Sequence, residues 1–349
     1  MTHVRRGVVG TTGCGTAQPR GVPRRSLHGD WRVLALLAGG AAVLIGWRLA
    51  AEGVLRAFLE PVKTSAQHES HDPRDRVDLA RAHPLDEHRR WLAQTGREMT
   101  LSAGPGLKLR AVILDPDRAE VSSHRYVICW HSRTGSVQGM APVAHRFARM
   151  GCTVVLPVGR GNRPDEGRYL GMGLLESRDL LRWIREVVVH DPQARIVLRG
   201  VSMGAVAVML ACGSRELSDH VVGAIAECGY ADAFDQVTFT LRRYAHLPRH
   251  LAKAMTHTVN ALCRSRAGFD LRDADCLGAM RHTHVPMLFI EAGNDQVIDP
   301  ADCDRLFAAC ASTVRERASI PYARHAACAS ADPERYWRAV NGFVQQLVW

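Results

Sequence analysis

Apolar and polar positions along most of the chain predict strands that alternate with helices. Short, nearly continuous apolar runs such as RYVICW and CTVVLP have the length and composition of buried strands. Eight strands are predicted, near residues 97–102, 107–114, 125–130, 152–157, 194–199, 221–227, 285–291 and 314–320. Segments with helical spacing lie at residues 138–150, 172–189, 203–213, 300–310 and 332–347. This pattern predicts an α/β fold, with a mostly parallel eight-stranded sheet that has helices on both faces.

One interval breaks the alternation of strands and helices. Residues 229–284 contain no convincing strand, many basic residues and two or three helical segments. Ligands of open α/β sheets bind beyond the carboxyl ends of the strands. We therefore interpret this insertion as a helical cap over the ligand site.

The N-terminal region has a different character. Fifteen uncharged residues run from Val33 to Trp47, and arginines precede them. Residues 31–51 reach the roughly 20 residues that a membrane span needs, so we expect a transmembrane signal anchor with its basic tail in the cytoplasm. A cleaved signal peptide and a buried or surface helix are the alternatives. The anchor predicts a single-pass cell-membrane protein whose folded domain is extracytoplasmic.

This hypothesis divides the chain into four parts. They are a basic tail (1–30), the anchor (31–51), a juxtamembrane linker (52–84) and a folded domain (85–349). Much of the formal net charge of +10 lies in the tail. A nucleic-acid binder would more often spread its basic residues over a folded face with aromatic residues among them. No nucleic-acid partner is therefore predicted.

A serine lies between two glycines at a predicted turn from strand to helix. In RIVLRGVSMGAVAVML (195–210), Ser202 is flanked by Gly200 and Gly204, where one apolar element ends and the next begins. This G-x-S-x-G arrangement is typical of a nucleophile elbow, whose tight turn needs small residues on both sides of the serine. Ser202 is therefore the candidate nucleophile.

The serine requires a base, which in turn requires a carboxylate, in the chain order serine, acid, histidine. Asp295 follows the seventh predicted strand and is the preferred acid. Asp299 is the alternative, although its place at a predicted helix start is explained by capping. His325 lies between the last strand and the last helix and is the candidate base.

The site also needs two backbone amides directed at a developing oxyanion. Met203 supplies one amide at the start of a predicted helix. Arg133, in the loop HSRTGSVQG, is the preferred second donor, with Ser132 as the alternative. No metal or cofactor is predicted, because no Cys/His cluster has zinc spacing and GRGNRP lacks a glycine of the dinucleotide fingerprint.

Together these segments resemble the α/β-hydrolase superfamily, and more closely its single-span, membrane-anchored bacterial serine hydrolases with a helical cap. The resemblance covers about residues 85–347 and includes HSRTGS, GRGNRPDEGRYLGMGLLESRDLLRWI and DQVTFTLRRYAHLPRHL. It implies Ser202, Asp295 and His325 as a catalytic triad, in agreement with the assignment from the residues.

The chain departs from the family pattern at three places. It has His131-Ser132 where His-Gly is usual, Val158 in place of an aspartate, and Ala292-Gly293 in place of His-Gly. We expect a serine hydrolase that cleaves an ester or related acyl bond of a small-molecule substrate through an acyl-enzyme intermediate. A serine peptidase and a catalytically silent, membrane-anchored binding module are the alternatives.

Overall fold

The core of the protein is an eight-stranded sheet. The computed structural model describes residues 30–61, 84–116, 124–161 and 166–347. Its strands are β1 (Arg97–Gly104), β2 (Leu107–Leu114), β3 (Arg125–Trp130), β4 (Thr153–Pro157), β5 (Arg195–Val201), β6 (Val221–Glu227), β7 (Met287–Ala292) and β8 (Arg315–Ile320). Their order across the sheet is β1-β2-β4-β3-β5-β6-β7-β8. β2 is antiparallel to both of its neighbours, and all other pairs are parallel. The predicted α/β fold with a mostly parallel eight-stranded sheet is confirmed.

Helices cover both faces of this sheet. They are α1 (Asp30–Leu59), α2 (Pro84–Thr95), α3 (Ala141–Arg149), α4 (Leu174–His190), α5 (Met203–Cys212), α6 (Ala233–Tyr244), α7 (Arg249–Ala267), α8 (Cys276–Met280), α9 (Ala301–Ala309), α10 (Cys328–Ala331) and α11 (Pro333–Gln346). Side chains of a strand alternate between the two faces. In β5, Ile196 and Leu198 therefore join one hydrophobic core and Val197 joins the other. The continuous apolar run in the sequence reflects this burial on both sides.

The insertion between β6 and β7 forms helices α6, α7 and α8. Helix α6 lies against the loop that follows β7. The side-chain amide of Gln236 donates a hydrogen bond to the carbonyl of Val297 at 2.8 Å, and the Tyr244 hydroxyl donates to the carbonyl of Gln296 at 3.0 Å. The insertion therefore contacts one of the loops at the carboxyl ends of the strands.

Helix α1 corrects the sequence interpretation. Among the residues that the structure describes, no helix combines the length and the apolar character needed to cross a bilayer. The transmembrane anchor predicted over residues 31–51 is therefore wrong, and so is the single-pass membrane location that rested on it. The uncharged run from Val33 to Trp47 is shorter than the roughly 20 residues of a span and contains three glycines.

The C-terminal half of α1 packs into the globular part of the chain. Trp47 Nε1 donates a hydrogen bond to Thr258 Oγ1 of α7 at 2.9 Å. Ala51, Leu55 and Leu59 are buried in the hydrophobic core. Their spacing of four residues puts them on one face of the helix. This apolar face thus begins at Ala51, the last residue of the predicted span. It continues into residues that we interpreted as a linker.

The chain divides into two structural units, residues 1–46 and 47–349. Of the first unit the structure describes only the beginning of α1, so the predicted basic tail lies outside the described residues apart from Asp30. The predicted linker is described at its α1 end and at Pro84, because residues 62–83 also lie outside.

Candidate active site

Five chemically distinctive residues follow five different strands of the sheet. His131, Ser202, Cys228, Asp295 and His325 lie in the loops after β3, β5, β6, β7 and β8, respectively. These five strands run parallel, so their carboxyl ends meet at the same edge of the sheet. The topology therefore gathers residues that are far apart in the sequence.

Ser202 occupies the turn between β5 and α5 in an unusual backbone conformation. Its φ is 55° and its ψ is −119°, a region that side-chain-bearing residues rarely adopt and that costs about 1–3 kcal/mol. Its amide donates a hydrogen bond to the carbonyl of Glu227 at 2.8 Å, which ties the turn to the end of β6. The residue is only 8% exposed. The surrounding structure thus holds the hydroxyl at a fixed place on the sheet edge.

The two glycines beside Ser202 are required by close backbone contacts. A Cβ on Gly200 would lie 2.1 Å from the carbonyl oxygen of Gly204. A Cβ on Gly204 would lie 2.4 Å from the carbonyl oxygen of Trp130, at the end of β3. Both neighbours are backbone atoms, which cannot rotate away as a flexible side chain can. The pattern in the sequence therefore has a steric cause in this turn.

We expect the substitution Gly204→Ala to lower the free energy of unfolding by about 3 kcal/mol, the upper end of the usual cost of overpacking. The measurement is urea denaturation followed by circular dichroism. Gly342→Ala on α11 is the matched control, because no atom lies within 4 Å of its added Cβ. That control should gain about 0.5–1 kcal/mol from helix propensity. Equal stability of Gly204→Ala and the unchanged protein would contradict the expectation.

The three residues predicted as nucleophile, base and acid form one hydrogen-bonded chain. Ser202 Oγ lies 2.8 Å from His325 Nε2. The other ring nitrogen, Nδ1, lies 2.7 Å from Asp295 Oδ2. In the neutral imidazole, Nδ1–H donates to the carboxylate and Nε2 accepts from the serine hydroxyl. This arrangement can move a proton away from the hydroxyl oxygen.

The acid and histidine loops meet because main-chain hydrogen bonds join them. The amide of Gly293 donates to the carbonyl of Ile320 at 2.9 Å, and that of Asn294 donates to Ala323 at 3.0 Å. The pairing of β7 with β8 therefore extends beyond the sheet. This extension brings the side chain of Asp295 to the imidazole of His325.

Backbone amides orient the carboxylate of Asp295. Its Oδ1 accepts hydrogen bonds from Val297 N at 2.8 Å and Ile298 N at 3.0 Å, which leaves Oδ2 for the imidazole. Asp299, the alternative acid, instead accepts from the amide of Ala301 at 3.0 Å, at the start of α9. This bond forms a local turn just before α9, whose N-cap residue is Pro300 and not Asp299.

The charges of the acid and the base reinforce each other. Burial favours the neutral carboxyl of Asp295, but the hydrogen bond from His325 and the two amides outweigh burial and lower its pKa below the usual value. Burial likewise favours the neutral imidazole of His325. The hydrogen bond to Asp295 and the nearby sulfur of Cys228 outweigh that effect and raise the pKa of His325 to about 9.

The predicted oxyanion donors lie on either side of the serine. Met203 begins α5, where the first amides of a helix have no intrahelical acceptor. Arg133 lies in the loop after β3, which passes close to the serine turn, since a Cβ on Gly204 would lie 2.7 Å from the carbonyl oxygen of His131. Within the described part of the chain, the amides of Met203, Arg133 and Ser132 donate to no protein acceptor. Arg133 and Ser132 both remain candidates for the second donor.

The sequence interpretation missed the role of His131. Its Nδ1–H donates a hydrogen bond to the carbonyl of Ser132 at 2.7 Å, and its Nε2 accepts from the amide of Gly159 at 3.1 Å. Burial lowers the pKa of His131, which keeps the ring neutral and able to accept. Ser132 does not need the conformational freedom of the usual glycine, because its φ is not positive. His131 thus ties the loop after β3 to the loop after β4.

Helix α1 also reaches this edge of the sheet. Arg133 Nη1 donates a hydrogen bond to the carbonyl of Ala57 at 2.9 Å, and the amide of Leu170 donates to the carbonyl of Leu59 at 2.8 Å. The loop that carries a predicted oxyanion donor is therefore held by the last turns of α1. No pattern in the sequence near Arg133 indicated this contact.

Two groups of potential metal ligands occur among the described residues. One comprises Cys228, Asp295 and His325, and the other Glu227, Cys228 and Cys328. In the first group, both ring nitrogens of His325 are already paired within the protein. In the second, Glu227 already binds buried side chains and a backbone amide. A metal ion would have to displace these internal partners.

Comparison by sequence does not identify a family for this chain. No protein-family model matches the chain. The uncharacterized protein YqkD of Bacillus subtilis is 26% identical over 182 residues, a match that covers 52% of this chain and 58% of YqkD. The chain thus spans less than two thirds of that relative's length.

Solved structures of hydrolases are similar over most of the chain. Esterase PF2001 of Pyrococcus furiosus has a TM-score of 0.58 and 16% identity, and the match covers 74% of this chain and 94% of the esterase. The esterase domain of a Rhodothermus marinus protein gives 0.52 and 17%, with 73% and 100% covered. The acylaminoacyl peptidase of Pyrococcus horikoshii gives 0.53 and 16%, with 72% and 40% covered. The chain has an α/β-hydrolase fold. At these identities the likeness concerns the fold alone, and the chemistry has to be argued from the site.

Proposed function

We propose that the protein is a serine hydrolase that cleaves an ester or related acyl bond of a small molecule. The observation that carries the proposal is the chain from Ser202 Oγ through the His325 ring to Asp295, with hydrogen bonds of 2.8 and 2.7 Å. A serine hydroxyl becomes a nucleophile when a positioned base removes its proton. The strained turn supports the same conclusion, because backbone strain of this kind clusters at functional sites.

In the proposed reaction, Ser202 Oγ attacks the acyl carbon while His325 Nε2 takes its proton. His325 then gives this proton to the departing alcohol, which leaves an acyl-enzyme. Water deprotonated by the same ring releases the acid and restores Ser202. Asp295 holds the ring and stabilises its positive charge. The amides of Met203 and Arg133, with Ser132 as the alternative to Arg133, would bind the oxyanion, each contributing about 2.7–4 kcal/mol.

We further infer that the insertion at residues 229–284 caps this site. The hydrogen bonds from α6 to the loop that carries the acid support this role. The substrate would then bind between the insertion and the carboxyl ends of the strands. No step of this reaction calls for a cofactor.

A serine peptidase is the second candidate, because the fold is shared with an acylaminoacyl peptidase as well as with esterases. Turnover of p-nitrophenyl acyl esters of graded chain length, set beside a panel of peptidyl substrates, separates the two. We expect ester hydrolysis to exceed peptide hydrolysis. Preferential cleavage of peptides would replace the proposal with the peptidase, and no turnover of either class would favour a catalytically silent binding module.

We expect kcat/KM for ester hydrolysis to increase with pH and to level off above about pH 9. Only the neutral imidazole can accept the serine proton, and the pKa of His325 is raised to about 9. The rate should fall about tenfold per pH unit below that value. Rate measurements across this range, with circular dichroism at each pH to check folding, test the expectation. A midpoint near the ordinary histidine value of about 6.5 would contradict it.

The raised pKa of His325 has a matching effect on stability. A group whose pKa is higher in the folded than in the unfolded state stabilises the fold while it is protonated. The contribution is complete below the unfolded value of about 6.5 and is lost as pH rises through about 9. The fold is therefore less stable at high pH, where the imidazole is neutral and can act as the base, than near neutral pH, where it is protonated.

A further inference from the structure

Two cysteines lie beside the proposed catalytic groups without taking part in the reaction. Cys228 directly follows β6, and Cys328 is the first residue of α10. Their Sγ atoms are 3.9 Å apart. The Cys228 sulfur, a nitrogen of His325 and a carboxylate oxygen of Asp295 all lie within 4.8 Å of one another. A chemical change at this thiol pair would therefore directly alter the surroundings of the imidazole.

The backbone holds both sulfurs in place. Cys228 has a φ of 52°, in the left-handed region that favours glycine, and its amide donates to the carbonyl of Ile290 at 2.9 Å. The amide of Cys328 donates to the buried carboxylate of Glu227 at 3.2 Å. Arg199 Nη2 binds the same carboxylate at 2.5 Å. The contact between the thiols thus rests on a buried network rather than on loosely held surface loops.

A small molecule has a route to Cys228. This residue lines a cavity of about 190 Å³ together with Asp295, Ile298 and Cys303. A water molecule occupies about 30 Å³ in the liquid, so the cavity has room for several water molecules or for one small hydroperoxide. Cys328 itself is fully buried. An oxidant would therefore meet Cys228 first.

The Cys228 thiol also differs electronically from the other described cysteines. All nine described cysteines are free thiols. Burial raises the pKa of seven of them: Cys129, Cys152, Cys212, Cys263, Cys276, Cys303 and Cys310. The contact with Cys328 instead lowers the pKa of Cys228, and this effect together with the nearby His325 ring outweighs burial. The thiolate is the reactive form of cysteine, so the thiol that lines the cavity is also one whose surroundings favour the reactive form.

We propose that hydroperoxides oxidise Cys228, and that a disulfide then forms with Cys328 and switches off the hydrolase, an inference that rests on the function proposed above. The oxidant is hydrogen peroxide or a small organic hydroperoxide. The buried thiol pair is thus a modification site next to His325.

The chemistry proceeds in two balanced steps. The Cys228 thiolate attacks one peroxide oxygen, an S–O bond forms, the O–O bond breaks, and the departing hydroxide takes the proton released by the thiol to become water. The Cys328 sulfur then attacks the sulfenic sulfur, an S–S bond forms and the S–O bond breaks. The second hydroxide leaves as water with the Cys328 proton. With hydrogen peroxide, the two thiols together lose two electrons and one peroxide is reduced to two waters. With an organic hydroperoxide the first leaving group is the alkoxide, which takes the thiol proton to become the alcohol, and only the second step releases water.

The disulfide would move the base. Its S–S bond length of about 2.05 Å requires the two sulfurs to approach by about 1.9 Å. Cys328 lies only three residues after His325, at the start of the helix that directly follows the His325 loop. A displacement of about 1 Å can lower the rate by about 100-fold. We therefore expect at least a tenfold loss of esterase activity on oxidation.

The experiment treats the full-length protein with hydrogen peroxide in a buffer that contains a chelator, and then follows two readouts. Ester hydrolysis reports activity before and after addition of dithiothreitol. Peptide mass spectrometry with differential alkylation reports which thiols have become linked. The variants are Cys328→Ser, which cannot form the disulfide, and Cys303→Ser, a matched control because Cys303 lines the same cavity.

The unchanged protein and Cys303→Ser should form the Cys228–Cys328 disulfide, lose activity at least tenfold and regain it with dithiothreitol. Cys328→Ser should form no such bond, and dimedone should trap the sulfenic acid at Cys228. The proposal is overturned if Cys228 stays reduced while other thiols react, if the disulfide forms without loss of activity, or if Cys303→Ser rather than Cys328→Ser abolishes the response. If the protein hydrolyses no ester but still forms the disulfide, the proposed function and the switch fail, and the oxidation site alone stands.

Discussion

Replacement of Ser202 with alanine is expected to lower kcat for ester hydrolysis by about a million-fold, as in hydrolases that lose their nucleophile. Fluorophosphonate labelling should disappear at the same time, because the probe reacts with the activated hydroxyl. The cause is specific: Ser202 Oγ is the atom that lies 2.8 Å from His325 Nε2. The remaining site would still bind substrate, so KM should change little.

Ser265→Ala is the control for this variant. Ser265 lies on α7, and its hydroxyl donates only to the local carbonyl of Leu262 at 3.0 Å. This control should keep its activity and its labelling. Labelling of Ser202→Ala at the unchanged rate would remove Ser202 from the proposed reaction, and residual activity above about 1% would do the same.

Asp295→Asn is expected to lower kcat by about 10⁴-fold with little change in folding. The backbone amides of Val297 and Ile298 bind one carboxylate oxygen. An asparagine would keep its carbonyl oxygen there and turn its NH2 group toward the ring. Nδ1 would then have to accept a hydrogen bond, the ring proton would move to Nε2, and His325 could no longer accept the serine proton.

Asp299→Asn is the matched comparison, since the sequence offers this residue as the other acid. Its carboxylate accepts from the amide of Ala301 in a local turn just before α9, and an asparagine side chain can make the same turn. We expect the activity of Asp299→Asn to stay within about twofold of the unchanged protein. Stopped-assay rates at saturating ester measure both variants. A larger loss in Asp299→Asn than in Asp295→Asn would transfer the acid role to Asp299.

Much of the fold could be predicted from the sequence, because its signals are local. The bounds of β2, β3 and β6 agree with the predicted runs 107–114, 125–130 and 221–227. Strands that are buried on both sides leave short apolar runs, and the loops between them contain glycine and polar residues. The serine turn is local in part: Gly200 is required by its contact with Gly204, four residues later, whereas Gly204 is required by Trp130 of β3.

The acid and base could be proposed because their position depends on topology, which the alternating pattern predicts. The surroundings of His325 could not be predicted from the sequence. A cysteine after a buried strand resembles an ordinary core thiol, and only the pairing of β6 with β7 and of β7 with β8 brings Cys228 near the imidazole. His131 was noted only as a departure from a family pattern. One of its hydrogen bonds joins it to the loop after β4. The sequence does not indicate that this loop lies beside His131.

The membrane anchor was predicted from the length and composition of the uncharged run, which do not reveal the apolar face that begins at its end. Ala51, Leu55 and Leu59 repeat every four residues immediately after the apolar run. That spacing is typical of a helix with one apolar face, but its partner surface is formed by residues that are distant in the sequence. The charged residues between Ala51 and Leu59 favoured the interpretation of this segment as a linker.

The packing of α1 bears on how shortened forms of this protein are made. A form that begins at residue 52 would lose the Trp47 indole, which binds Thr258, and the buried methyl group of Ala51. The apolar side chains that these groups cover would become exposed to water. One that begins after Leu59 would also release the side chain of Arg133 from the carbonyl that it binds. Deletion from the N-terminus should therefore stop before Trp47 if the purified product is to keep its full core.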